Sequence, residues 1–133
     1  MNQEDYCSYE LAKKLKACGF DEPCDHYYHI KNGVPEDDMW FIHGSCADFN
    51  NYKRRPDDFV SAPFLWQAQK WLREVKHISV RVSYIHYHKV WFADWLNLDS
   101  GEFDDTDATF ATYEEALADG ISVVLELIEQ ENK

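Results

Sequence analysis

A chain of 133 residues, 45% hydrophobic and 16% aromatic, is long and apolar enough to bury a core of its own, which excludes a disordered chain. Its net charge of −12 is lopsided: residues 94–133 hold twelve acids against Lys133, a balance of −11, whereas residues 1–93 hold thirteen acids and twelve bases, a balance of −1. A surface so charged repels polyphosphate and argues against direct nucleic-acid binding, leaving a solvated acidic face as the plain reading.

No apolar run approaches the roughly 20 residues that span a bilayer, so no membrane segment is expected. The opening Met1 to Tyr6 is acidic and has no apolar stretch of the kind a signal peptide needs. A cytoplasmic protein is therefore expected, with Cys7, Cys18, Cys24 and Cys46 as reduced thiols.

Taken in order, Ser8 to Cys18 reads as a helix capped by Ser8, with Leu11, Leu15 and Cys18 inward and Gly19 as the left-handed residue that ends it. Asp25–Ile30 and Met39–His43 are aromatic-rich runs of a hairpin; Asn32-Gly33 marks a turn inside a longer acidic connection. Gly44 to Val60 has no periodicity and reads as loop. Ser61 as cap and Pro63 in the first turn open a second helix, with Leu65, Ala68, Leu72 and Val75 on its apolar face and Lys70 and Arg73 outside. Ile78, Val80, Val82 and Tyr84 then alternate with polar residues as a strand. His86–Lys89 turns the chain into Val90–Leu98, apolar on both faces: Val90, Phe92, Leu96 and Leu98 on one, Trp91, Ala93 and Trp95 on the other. Asp99–Ala111 reads as an acidic loop. Thr112 and Glu115 form a capping box that opens a last helix to about Glu129, and Gly120 inside it implies close packing. The expectation is one α+β domain over 1–133, in the order αββαββα, with an antiparallel sheet of about four strands and three helices mainly on one face.

Three blocks carry a resemblance: Cys7 to Lys16 with Gly19 to Cys24, Ala62-Pro63 with Gln67 to Glu74, and Tyr113 to Leu117 with Gly120-Ile121. Together they resemble a family of short proteins of unknown function from Bacteroides-type genomes, often in prophage or mobile-element surroundings. The resemblance implies a phage-like origin and carries no activity or site residue.

Cys24, His26, His29, His43 and Cys46 offer sulfur and nitrogen ligands for zinc, but strand alternation puts them out of phase and no paired Cys-x-x-Cys spacing occurs. His86 and His88, with Asp94 or Asp99, read as turn residues, and the acids from Asp99 to Asp107 lack the order of a calcium loop. No nucleophile elbow, phosphate loop or dinucleotide fingerprint is present, so neither an enzyme nor a cofactor is expected. The aromatic strands carry the strongest signal. The leading expectation is a non-enzymatic interaction module that binds a protein partner, or itself, through an open sheet face at Trp91 and Trp95 with Tyr87 beside it. The alternatives are an acidic mimic of nucleic acid that occupies a DNA-binding protein, and a zinc protein using Cys24, His26, His43 and Cys46.

Overall fold

Helix α1 (Tyr9–Ala17) begins where Ser8 Oγ accepts the Leu11 N–H at 3.3 Å. It ends in a Schellman arrangement: Gly19, at φ 96°, donates to Lys16 O at 3.1 Å, and Phe20 donates to Leu15 O at 3.0 Å. That turn folds Phe20 back into the core, where it is 2% exposed. The computed structural model describes residues 5–35, 40–41 and 58–131.

Four short strands follow: β1 (His26–Lys31), β2 (Val34–Pro35), β3 (Trp40–Phe41) and β4 (Phe59–Ser61), with β1 pairing antiparallel to each of the others. Lys31 faces Val34 across Asn32-Gly33, whose φ values of 55° and 76° are those of a two-residue primed turn. The connection is thus tighter than expected, because Asn-Gly closes it at once and β2 intervenes before β3. The remainder of the segment expected as loop over 44–60, apart from its last three residues, lies outside the described residues.

Helix α2 (Leu65–Val75) starts later than expected. Its N-cap is Phe64, with no side-chain cap, and Ser61 is instead a buried residue of β4 facing Tyr27. The pairing of β4 with β1 claims the segment before the helix: Ala62 donates to His26 O at 2.9 Å. Leu65, Ala68, Trp71 and Leu72 are buried and Lys70 and Arg73 are exposed, whereas Val75 is 54% exposed. Trp71 takes the inward place, edge-on to Phe20 with ring centroids 5.4 Å apart.

The second sheet is β5 (Ile78–Ile85), β6 (Val90–Asn97) and β7 (Phe103–Asp105), antiparallel in that order. β7 lies in the stretch expected as loop. Asn97 Oδ1 accepts the Asp99 and Ser100 N–H groups at 2.9 and 3.1 Å, which reverses the chain so that Phe103 meets Leu96. All three β7 side chains are exposed, so no alternation betrayed it. Helix α3 (Tyr113–Glu131) opens on the expected capping box, the Glu115 N–H to Thr112 Oγ1 at 3.2 Å and the Thr112 hydroxyl to Glu115 Oε1 at 2.9 Å.

The α+β class, the antiparallel pairing and the three helices are as expected, with the strands divided between two sheets. The core joins Leu15, Leu72, Ile121, Val124 and Leu125, each 0% exposed, to Ile78 and Val80 of β5. α3 lies against β5 and β6, and α1 against α3, where Lys14 Nζ reaches Ser122 Oγ at 2.7 Å and Glu126 Oε1 at 2.6 Å. A Cβ at Gly120 would stand 2.7 Å from Ala93 Cβ and 2.8 Å from Val80 Cγ1, so only glycine permits this approach.

Two consequences can be measured by urea unfolding. Leu72→Ala should cost roughly 2–5 kcal/mol, as for a core leucine that leaves a cavity, and Lys70→Ala should stay within about 0.5 kcal/mol. Gly120→Ala should destabilise by about 1–3 kcal/mol despite alanine's better helix propensity, because overpacking outweighs a gain of about 1 kcal/mol. A stabilised Gly120→Ala variant would contradict the close approach.

Candidate functional site

Register decides which aromatic residues are free. Val80 faces Trp95, Val82 faces Ala93 and Tyr84 faces Trp91, so these six share the face toward α3. Ala93 is 0% exposed and Trp95 packs against the core. The open face expected at Trp91 and Trp95 is therefore the covered one, α3 being the layer that covers it. The face turned away from α3 carries Phe92, Leu96 and Phe103, with Arg81 Nε bonded to Asp94 Oδ1 at 2.9 Å across β5 and β6. Tyr87, in the hairpin turn, is 93% exposed.

Trp91 nevertheless reaches the surface, at the edge of its sheet face. Its ring lies 4.7 Å from that of Tyr84 and 5.5 Å, edge-on, from that of Tyr113 at the start of α3. Tyr113 then shares a cleft of about 320 Å³ with Phe64, Leu65 and Trp66 at the start of α2. Across that cleft the rings continue as a stack: Trp66 on Phe64 at 5.6 Å, and Phe64 on Tyr6 at 4.4 Å, with His26 4.0 Å beyond Tyr6. The stack exists because Tyr6 and Phe64 form an antiparallel bridge, in which Cys7 donates to Pro63 O at 2.9 Å. Tyr28 locks it from below, its hydroxyl donating to Cys7 O at 2.7 Å.

A second cleft, about 610 Å³, opens beside Tyr6 and is walled by Tyr9, Tyr28 and Leu65. Tyr9 meets Tyr28 edge-on at 5.7 Å. Glu114 lines both clefts, Glu115 the larger and Asp5 the smaller. The result is a belt of aromatic rings from Tyr84 to Tyr9, rimmed by carboxylates at the start of α3. Of the rings in this belt, sequence reasoning singled out Trp91 but not Tyr6, Phe64, Trp66 or Tyr113. Their one sequence signal was large aromatics in or beside helix starts, where no apolar stripe called for them.

The other candidates fare less well. The α3 acids Glu115, Asp119, Glu126 and Glu129 follow helical spacing, with Glu126 paired to Lys14 and one Asp119 oxygen buried. Of the zinc candidates, His43 and Cys46 lie outside the described residues, and among the described residues no three His, Cys, Asp or Glu side chains gather around a common point. His86 and His88 are exposed turn residues, and Asp94 and Asp99 are engaged by Arg81 and His77. Cys7, Cys18 and Cys24 are free and buried. No described helix is long and apolar enough to cross a membrane.

Burial holds the protons of the groups beneath the belt. The Cys24 thiol is pushed up to about 12 by burial and by Glu22 and Asp25, and the Tyr28 phenol to about 12 by burial and by Cys7. Both are neutral when folded. As pH rises past their ordinary values of 9.0 and 10.0, the unfolded chain releases these protons first, and their contribution to stability is lost between there and about 12. Urea midpoints should fall progressively above about pH 9, and Cys24→Ala should lessen the fall at its onset; equal slopes for the two proteins would contradict the buried thiol. No family model, curated protein or solved structure matches this chain, so its function is argued from the geometry alone.

Proposed function

We propose that this protein is an interaction module that docks a protein partner on its aromatic belt. The observation that carries the reading is the continuity of the rings. Tyr84 (46% exposed), Trp91, Tyr113 (39%), Trp66 (58%), Phe64 and Tyr6 follow one another across four elements and the N-terminal segment. Solitary exposed aromatics are ordinary, whereas two runs of touching rings on either side of one cleft, rimmed by charge, have the composition of an interface core. Stacked rings also lose little side-chain freedom on binding, so their buried area is converted to affinity with small entropic cost.

The partner docks beside the carboxylates of Asp5, Glu114 and Glu115, and the net charge of −12 favours its encounter with a basic surface. Trp91 belongs to this surface, Tyr87 stands beyond its Tyr84 end, and Trp95, partly buried, packs against the core beneath it. The chemistry is recognition, with no reaction step.

Affinity capture from the native host, quantified against variants, tests this. Trp66→Ala/Tyr113→Ala should release a partner held by the parent chain, by at least about tenfold, as for two interface anchors. Phe92→Ala/Phe103→Ala, on the face turned away from α3, should retain it. Capture that depends on Phe92 and Phe103 and ignores Trp66 and Tyr113 would place the interface on the sheet instead.

A further inference from the structure

We propose that the paired clefts around Glu114 form a recognition site for a lysine or arginine side chain of the docked protein. This rests on the docking reading above and names the chemistry that the belt selects. Glu114 sits one residue into α3 and lines both clefts, half-buried, with no hydrogen bond or ion pair to another described residue. Its neighbour Glu115 is already engaged by the Thr112 hydroxyl, which leaves Glu114, with Asp5 at the smaller cleft, to meet an incoming charge.

Around it stand ring faces and edges: Tyr6, Tyr9 and Tyr28 in the larger cleft, Trp66 and Tyr113 in the smaller. Aromatic faces attract a cation through their quadrupole, and a nearby carboxylate adds to that attraction. Tyr9 already does this within the chain, with Lys13 Nζ 5.4 Å from its ring centroid. No lysine or arginine among the described residues lines either cleft.

An anion is the rival occupant, since α1 and α3 both begin at the larger cleft. One first-turn amide of each helix is already taken by its cap. Ser8 Oγ takes Leu11 N–H and Thr112 Oγ1 takes Glu115 N–H, while two glutamates stand where an anion would lie. The larger cleft, at about 610 Å³, is roomy enough for an extended side chain and the backbone that bears it.

The test uses the full chain and defined probes, followed by two-dimensional amide NMR, with the Trp66 indole N–H as a further reporter. The probes are N-acetyl-lysine amide, N-acetyl-arginine amide, a short Lys/Arg peptide, tetramethylammonium and N-acetyl-glutamate amide. The lysine and arginine probes should shift the resonances of Tyr6, Tyr9, Glu114 and Trp66, the peptide most tightly, and the glutamate probe should not. Glu114→Gln should weaken the peptide about five- to tenfold, as for one desolvated charge contact, with an unchanged circular dichroism spectrum. Glu131→Gln, the same charge change at the far end of α3, should leave binding as it is. Equal weakening by the two variants would reduce the effect to general charge and overturn the site. Binding of tetramethylammonium without the peptide would overturn the protein source of the cation. Host capture that needs Trp66 and Tyr113 but ignores Glu114→Gln would remove the cation assignment and leave the docking surface standing.

Discussion

The seating of α3 on its sheet is the constraint on which everything else depends. At Gly120 the helix has no side chain, and Ala93 and Val80 fill the space beneath it, closer than a methyl group would allow. Small residues at such a crossing let backbone approach backbone, and the loss of helix propensity is offset by the packing gained around it. Ile121, Val124 and Leu125 are then driven to zero exposure against α1, α2 and the sheet. Once that contact is made, the two faces of β5–β6–β7 are no longer equivalent. One is core and the other looks away from all three helices.

The same contact places the start of α3 beside the starts of α1 and α2. Helix starts are awkward places, with unpaired amides that need caps, and here the caps are local: Ser8 for α1 and Thr112 for α3, with none from a side chain for α2. What gathers around them is aromatic. Phe64 is the uncapped N-cap of α2, Tyr113 is the first residue of α3, and Tyr6 is brought against Phe64 by the N-terminal bridge. The rings cover the junction of the three helices without sealing it, and the clefts between them are what remains. The acids cluster there for a local reason as well, since carboxylates in a first helical turn favour the positive end of the dipole. Fold-level electrostatics and the charge of the proposed site thus have one origin.

Much of this fold was legible in the chain because its signals are local. Ser8 and Gly19 bound α1, Thr112 and Glu115 open α3, and strict alternation marks β5, each a matter of a few neighbouring residues. The errors arose where a distant partner overrode a local preference. Ser61 and Pro63 make a sound helix start, but β1 claims Ser61 for a strand. Val75 fits the apolar spacing of α2, yet Phe20 draws Trp71 inward instead. The β7 strand has no buried side chain to announce it. The candidate site was the least legible part. Trp91 stood out, but its neighbours come from the N-terminus, from α2 and from α3, and no spacing along the chain encodes a stack between residues so far apart. A strand apolar on both faces told of a covering layer without telling which face it covers, and that choice moved the proposed interaction surface from the sheet to the helix starts.

A carbon-edited NOE spectrum of the folded protein examines the central claim most directly, since it reads the seating of α3 and the end of the belt together. Strong cross-peaks are expected from the Gly120 α-protons to the Ala93 methyl and to a Val80 methyl, together with contacts between the Tyr113 and Trp91 rings. Cross-peaks from α3 to Phe92 and Leu96 in their place would mean that the helix lies on the opposite face, and the aromatic belt would not exist.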